Sequence, residues 1–189
     1  MSAFVLKIIG IIAMTLDHIS ITFFDGNNWM DYIGRLAFPI FAYLTAEGYA
    51  HTKDIKKYLL RLLITGLVAQ VPFMLLTYKA DYVSINTIFT LIFGLLSILV
   101  YDKVNKYIGI LVVIILSIIA KILHFDHGAY GVVIIFIFYI LRDRRIFKFI
   151  VYDMVTLVWY AYRMLKYNDY GSYTLVKVFK YYLPYIVFA

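Results

Sequence analysis

Asp17, His18 and Arg35 carry ionisable groups within apolar stretches of the sequence. Asp17 and His18 are neighbours in the apolar segment 4–24, and Arg35 stands near the start of the apolar segment 33–50. A histidine can serve as a general base that a carboxylate orients, and an arginine can stabilise negative charge developing on an oxygen. These residue types predict acid–base chemistry beside a site that stabilises an oxyanion.

The three residues are predicted to share one depth if both segments are membrane-spanning helices. At 1.5 Å per residue, Asp17 lies about 20 Å beyond residue 4, and Arg35 about 22 Å before residue 50. A charge at this depth in a bilayer costs about 2.5–3.5 kcal/mol, so we expect Asp17 and Arg35 to pair. Neighbouring helical residues point about 100° apart, so Asp17 and His18 would have different roles. The alternatives are a helix-to-helix ion pair and a histidine that only packs.

Further polar residues fall on two levels of the predicted helices. The outer level holds Asn86, near the start of the fourth apolar segment. It also holds three residues predicted to lie on the substrate side: Asp126, His127 and Tyr130. The inner level holds the basic residues around the second loop: His51, Lys53, Lys56, Lys57 and Arg61. Gln70 lies between the two levels. We call these basic residues of the inner level the basic mouth. Their position below the buried polar cluster suits the binding of an anionic cytoplasmic cofactor. The alternative is that they reflect only the usual excess of cations in the cytoplasmic loops of membrane proteins.

The composition predicts the elements that must position these residues. Of the 189 residues, 64% are hydrophobic, and the mean hydropathy of +0.86 exceeds what a soluble domain with roughly 45–50% apolar residues can show. Eight apolar segments are long enough to be transmembrane helices, of which the sixth and eighth are the weakest: 4–24, 33–50, 58–78, 85–101, 107–123, 129–141, 147–165 and 173–189. The sequence therefore predicts one all-α domain over residues 1–189, a polytopic integral membrane bundle of about eight transmembrane helices.

The charges predict the orientation of that bundle. Ten basic residues lie in or beside the even-numbered loops: Lys53, Lys56, Lys57, Arg61, Lys103, Lys106, Arg142, Arg144, Arg145 and Lys148. The odd-numbered loops hold aspartates with few cations: Asp25, Asp31, Asp81, Asp126 and Asp169. The positive-inside rule then places the N-terminus in the cytoplasm of a multi-pass cell-membrane protein. This distribution of cations accounts for the net charge of +7. The expected partner is therefore the lipid bilayer and not a nucleic acid.

Two absences narrow the chemistry that the sequence can support. The chain has no cysteine, which removes disulfides, thiolate nucleophiles and cysteine-based metal sites, and we expect no metal. Residues 1–24 lack a basic n-region and a small-residue cleavage site, so they are predicted to be the first span and not a cleavable signal.

A series of ordered polar motifs resembles the TraX-like family of membrane proteins. They begin with residues 14–19, Met-Thr-Leu-Asp-His-Ile, and residues 33–41, Ile-Gly-Arg-Leu-Ala-Phe-Pro-Ile-Phe. The others are residues 6–9, 47–52, 57–62, 70–73, 86–94 and 126–131. The family pattern often ends in a Tyr-Pro-x-His stretch, whereas this chain has Tyr182-Leu183-Pro184-Tyr185.

The resemblance implies an acetyltransferase that uses acetyl-CoA. The family is named for a protein that acetylates the N-terminus of pilin, and it is distantly similar to the transmembrane acyltransferases, which use a histidine in the membrane. In this sequence that histidine would be His18. The acceptor would be an amine or hydroxyl, on a protein N-terminus or on a sugar.

These implications combine into one mechanistic hypothesis. The four cations from Lys53 to Arg61 would hold the phosphates of CoA, and the pantetheine arm would pass Gln70. His18 would act as general base with Asp17 in support, and Arg35 and Asn86 would stabilise the oxyanion. His127 is the competing base. Direct transfer and an acetyl-histidine intermediate both remain open. The rival hypothesis is a non-enzymatic protein, either a small transporter or a membrane assembly partner.

Overall fold

The structure is a computed structural model that describes residues 2–24, 28–77 and 83–167. These residues form helices and no strands, apart from one isolated parallel bridge between Ile85 and Phe125. The helices in chain order are α1 Ala3–Phe23, α2 Trp29–Gly34, α3 Ala37–His51, α4 Ile55–Leu76, α5 Thr87–Lys103, α6 Lys106–Ile122, α7 Gly128–Ile140 and α8 Arg145–Tyr167. The prediction of an all-α fold is confirmed for this part of the chain.

The helices follow the apolar pattern of the sequence closely. α1 and α3 to α8 coincide with the first seven predicted segments, whereas the short α2 was not predicted. The eighth segment, 173–189, lies outside the described residues. Among the described residues, α1 and α4 are the two helices long and apolar enough, by length and composition, to cross a membrane.

Arg35 lies between two helices and not within one, as the segment 33–50 had implied. α2 ends at Gly34 and α3 begins at Ala37. Pro39 therefore falls in the first turn of α3, where its missing N–H leaves no helical hydrogen bond unmade, and it does not kink a longer helix. The prediction of a continuous helix was wrong at its start.

The chain divides into two compact units. One comprises Met1–Ile40 and Leu141–Ala189, and the other comprises Phe41–Ile140. In the first unit α1 packs on α2, and in the second α5 packs on α4, α6 and α7. The single domain over residues 1–189 stays a prediction.

Several helices bury small residues and expose large apolar ones. α6 turns the row Gly109, Val113, Ser117 and Ala120 inward. A Cβ on Gly109 would lie 2.5 Å from the Cβ of Tyr101, so α5 and α6 approach each other closely where a side chain is missing. The opposite face of α6 exposes large side chains: Tyr107, Ile108, Ile110, Leu111, Ile114, Ile115, Ile118 and Ile122. Close packing through small residues is characteristic of helices in membranes.

Candidate functional site

A buried polar network fixes the junction of α1 and α2. The hydroxyl of Ser20 donates to Oδ1 of Asp31 at 2.6 Å, and Nδ2 of Asn28 donates to Oγ of Ser20 at 2.8 Å. Asn28 and Asp31 also form a capping box at the start of α2. The sequence had placed Asp31 only as an outer loop residue, whereas the structure buries its side chain. The network thereby anchors α2, which leads directly to Arg35.

Asp17 lies against the end of α2. A Cβ at Gly34 would be 2.5 Å from the Cβ of Asp17, so the carboxylate-bearing side chain occupies the space that a glycine leaves. Arg35 follows Gly34, and its Nη1 donates to the hydroxyl of Tyr160 on α8 at 3.1 Å. The structure therefore brings Asp17 to the turn that carries Arg35 and adds Tyr160, which the sequence analysis did not single out.

His18 belongs to the same unit as Asp17 and Arg35. Its side chain is half-buried, and its backbone carbonyl accepts a hydrogen bond from the hydroxyl of Thr22 at 2.7 Å. His18 follows Asp17 in α1, and Asp17 contacts the glycine that precedes Arg35, so an imidazole, a carboxylate and a guanidinium belong to the same unit.

A second polar network links α4 to the start of α5. Asn86 is the N-cap of α5, and its Oδ1 accepts from the N–H of Ile88 at 3.0 Å. Its Nδ2 donates to the carbonyl of Gly66 and to Oε1 of Gln70, both at 2.8 Å. Nε2 of Gln70 in turn donates to the carbonyl of Ser84 at 2.8 Å. The side-chain amides of Asn86 and Gln70, both predicted site residues, therefore link α4 to the start of α5.

The α6–α7 loop is joined to the start of α5 by hydrogen bonds. The N–H of Asp126 donates to the carbonyl of Ile85 at 2.7 Å, and the hydroxyl of Thr90 donates to the carbonyl of Asp126 at 2.5 Å. The hydroxyl of Thr87 donates to Oδ2 of Asp126. Nδ1 of His127 lies 3.2 Å from the same oxygen. Asn86, Asp126 and His127 therefore lie in one region of the second unit.

This loop combines an unusual backbone with a strongly acidic carboxyl group. His124, His127 and Gly128 have positive φ angles of 53°, 61° and 41°, a region that non-glycine residues rarely adopt. Burial alone would raise the pKa of Asp126, but the positive charge of His127 and hydrogen bonds from His127 and Thr87 outweigh it and lower the pKa to about 2. The pair is a carboxylate–imidazole arrangement held by a strained loop.

The predicted basic mouth lies at the α3–α4 turn of the second unit. Four of its side chains are exposed cations within or just before the first two turns of α4: Lys53, Lys56, Lys57 and Arg61. Lys57 contacts Oδ2 of the N-cap Asp54 through Nζ at 3.4 Å, and its backbone N–H is the main cause of the lowered pKa of Asp54. Nδ1 of His51 lies 2.9 Å from the carbonyl oxygen of Glu47. Exposed cations at this spacing can bind phosphates.

Asp102 is a polar centre that the sequence analysis missed. Tyr49 and Tyr139 donate their hydroxyl groups to its two carboxylate oxygens, each at 2.9 Å. Nζ of Lys103 lies 3.1 Å from Oδ2 of the same carboxylate. Both tyrosines are buried and meet edge to face at 5.3 Å, so Asp102 ties the ends of α3, α5 and α7 together.

The predicted site residues therefore fall into two groups. The first unit holds Asp17, His18 and Arg35, and the second holds all the others. Tyr130 is buried in the first turn of α7. Within residues 2–24, 28–77 and 83–167, no group of three or more His, Cys, Asp or Glu side chains is placed to hold a metal ion.

Comparisons with known proteins find one family model and one curated relative that match this chain. A family model described as TraX protein matches residues 2–182. The probable fimbrial assembly protein FimC, serogroup H1, of Dichelobacter nodosus is 34% identical over 147 residues, which are 70% of this chain and 59% of that protein. The chain thus matches less than two thirds of that relative's length. No solved structure matches significantly.

Proposed function

This chain belongs to the TraX protein family, and on that premise we propose that it is a multi-pass membrane acetyltransferase. It transfers an acetyl group from cytoplasmic acetyl-CoA to an amine or hydroxyl group at or across the membrane. The observation that carries the proposal is the contact of Asp17 with Gly34, because it brings the Asp17–His18 pair of α1 to the turn that holds Arg35.

The exposed faces of the helices support a multi-pass arrangement. α8 exposes a row of large apolar side chains, as α6 does: Ile146, Phe147, Ile150, Met154, Leu157 and Val158. Keeping such surface in water costs about 25 cal/mol per Å², whereas hydrocarbon accepts it without cost. Buried polar residues such as Ser20, Asn86 and Thr156 complete a pattern with apolar groups outside and polar groups inside. That pattern fits more spans than α1 and α4 alone.

The reaction follows from the groups at the Asp17–Arg35 turn. His18 takes a proton from the acceptor amine or hydroxyl, whose lone pair attacks the thioester carbonyl of acetyl-CoA. The Arg35 guanidinium stabilises the negative oxygen of the tetrahedral intermediate. Collapse of that intermediate breaks the C–S bond, and the CoA thiolate takes up a proton as the acetylated acceptor leaves. Tyr160 holds Arg35 in position through its hydroxyl group.

The roles of the second unit differ in part from the initial mechanistic hypothesis. Both N–H groups of the Asn86 amide are engaged by Gly66 and Gln70, so we assign Asn86 to positioning α5 and not to the oxyanion. Gln70 is likewise occupied by Ser84 and Asn86. The exposed cations of the α3–α4 turn keep their proposed role as ligands of the CoA nucleotide phosphates.

The name of the Dichelobacter relative supports a pilus subunit as the acceptor, and equally a second candidate function. That relative is named as an assembly protein, so a membrane assembly partner without chemistry is the alternative. Such a partner would need neither acetyl-CoA nor His18.

The two functions are separated by an acetyl-transfer assay. Membranes containing the chain are incubated with labelled acetyl-CoA and either a pilin-type N-terminal peptide or an amino sugar, beside membranes that contain the His18→Ala variant. We expect label to reach one acceptor with the parent chain and not with the variant. If no acceptor is labelled while CoA also fails to raise the melting temperature of the purified protein, the assembly role is favoured.

A further inference from the structure

Asp102 lies in the last turn of α5, where a negative charge is unfavourable. The C-terminal end of a helix carries a partial negative charge, so a cation such as Lys103 suits this turn and a carboxylate does not. Three contacts compensate the charge of Asp102. Tyr49 donates to Oδ2 and Tyr139 to Oδ1, each at 2.9 Å, and Nζ of Lys103 lies 3.1 Å from Oδ2. We call Asp102 with its two tyrosines the Asp102 clamp, and the mechanism above does not use it.

The Asp102 clamp holds the part of α3 that leads into the basic mouth. Tyr49 stands two residues before His51, where α3 ends, and four residues before Lys53 in the α3–α4 turn. The bond from its hydroxyl group to Asp102 therefore fixes the last turn of α3 to the end of α5. The first cation of the α3–α4 turn follows within a few residues of this anchor.

The adjacent residue of α3 is held by α4. A Cβ at Gly48 would lie 2.8 Å from the hydroxyl oxygen of Tyr58 and 3.2 Å from its Cζ, so the tyrosine packs directly on the glycine. Tyr58 follows Lys57 and stands three residues before Arg61, which places it among the cations of the basic mouth. The end of α3 is therefore packed against α4 at one residue and bonded to α5 at the next, and all of these residues belong to the second unit.

The binding of several phosphates by these cations depends on where the backbone holds them. Lysine and arginine side chains on a surface are flexible, and ordering them is a cost that binding must overcome. The cations of the basic mouth are exposed, so the fold can fix only the backbone from which each of them extends. A turn that is anchored on both sides lowers the cost of bringing its cations to one ligand.

We propose that Asp102 is a positioning residue of the donor site. Through the hydroxyl group of Tyr49 it holds the α3–α4 turn so that the cations of the basic mouth meet the phosphates of the acetyl donor together. Asp102 itself touches neither the donor nor the acceptor. The inference rests on the proposed function.

The test compares Tyr49→Phe with Tyr139→Phe in membranes that contain the full chain. Each variant removes one hydroxyl group from the same carboxylate and keeps the ring, and the two tyrosines are buried alike, at 8% and 6% exposed. Only Tyr49 leads into the basic mouth. The two donors are acetyl-CoA, which carries phosphates, and acetyl-pantetheine, which carries none.

Tyr49→Phe should raise the KM of acetyl-CoA about three- to tenfold, the effect of one lost hydrogen bond. It should leave kcat and the KM of acetyl-pantetheine unchanged, because a phosphate contact remote from the reacting carbon affects binding alone. Tyr139→Phe should leave the ratio of the two KM values at that of the parent chain.

Three results would overturn the inference and leave the proposed function standing. One is the parent KM ratio in a folded Tyr49→Phe variant. Another is an equal change of the ratio in both variants, and the third is a lower kcat with both donors in Tyr49→Phe, since either would indicate a general loss of stability. Absence of transfer from either donor by the parent chain would instead remove the proposed function, and the inference with it.

A second variant keeps the inference open to refutation if Tyr49→Phe fails to fold. Asp102→Asn keeps the size of the side chain and one acceptor oxygen but removes the charge. Removal of a negative charge alone would favour a phosphate ligand, whereas loss of positioning disfavours it. We therefore expect the KM of acetyl-CoA to rise relative to that of acetyl-pantetheine. An unchanged or lower ratio in Asp102→Asn would show that this carboxylate does not position the basic mouth.

Discussion

Nδ1 of His127 lies 3.2 Å from Oδ2 of Asp126, and the hydroxyl group of Thr87 donates a hydrogen bond to the same oxygen. One carboxylate therefore ties the α6–α7 loop to the first residue of α5. The positive φ of His127 is maintained because the loop is held from both sides, by Asp126 and by the backbone contacts of Ile85.

The charge of Asp126 should make stability depend on pH in a definite window. Its pKa in the folded protein is about 2, below the ordinary value of 3.8. The unfolded chain therefore binds the proton more readily, so the stabilisation is complete above about pH 4 and is lost as the pH falls through 2. Thermal unfolding at stepwise lower pH should show a falling melting temperature that Asp126→Asn largely lacks.

Asp143→Asn provides the control, since the Asp143 side chain is 89% exposed and its Oδ2 lies 3.7 Å from Nε of Arg142. Its melting curve should follow that of the parent chain across the same pH range. A parent-like pH profile in Asp126→Asn would show that this carboxylate is not the group responsible.

Gly34 should tolerate no side chain, because the space beside it holds Asp17. We expect Gly34→Ala to cost about 1–3 kcal/mol of stability, as is usual when a methyl group is forced into a packed site, and to lower acetyl transfer by displacing Asp17. Denaturant unfolding and activity should be measured together. Gly66→Ala is the comparison, since its Cβ would meet a methyl group of Ile88 at 3.3 Å and should cost less.

The sequence predicted the elements whose signal is local. Apolar length alone located seven helices and placed Asn86 at the beginning of the fourth segment, where it is the N-cap of α5. An asparagine before an apolar run is a typical N-cap. α2 was missed because six residues carry no apolar periodicity. The spacing of Asn28 and Asp31, which forms a capping box, is the signal that would have revealed it.

Contacts between distant residues had no such signal. Arg35 and Tyr160 are 125 residues apart, and Tyr49 and Asp102 are 53 apart, so no window of sequence holds both partners. A tyrosine-rich chain also gives no reason to prefer one tyrosine over another. The shared depth of Asp17 and Arg35 was predicted from helix rise alone and stays a prediction, whereas the turn that breaks the helix at Arg35 required knowledge of where α2 is anchored.

The orientation proposed from the loop charges predicts opposite labelling of two engineered cysteines. The chain has no native cysteine, so single replacements report without background. Leu123→Cys, at the start of the α6–α7 loop, should react with an impermeant maleimide in intact cells, whereas Lys56→Cys should react only after permeabilisation. The reverse pattern would place the basic α3–α4 turn outside the cell and exclude it from binding cytoplasmic CoA.

Arg61 should affect donor binding more than turnover. A phosphate contact remote from the reacting carbon stabilises ground and transition states alike, so Arg61→Ala should raise the KM for acetyl-CoA about tenfold and leave kcat nearly unchanged. Lys121→Ala, an exposed cation in the last turn of α6, should change neither constant. An Arg61→Ala variant with a lower kcat and an unchanged KM would remove the α3–α4 turn from the donor site.

His18 and His127 are the two histidines that could act as the base, and their variants should separate them. Removing a general base typically slows turnover by about 10²–10⁴-fold, so His18→Ala should lose that factor in kcat. It should still bind CoA, seen as a raised melting temperature, because the donor contacts lie elsewhere. His127→Ala should lose stability at the α6–α7 loop, where the ring meets Asp126, and retain most of its turnover. Near-normal kcat in His18→Ala together with an inactive, folded His127→Ala would transfer the catalytic assignment to the Asp126–His127 pair and leave His18 as a packing residue of α1.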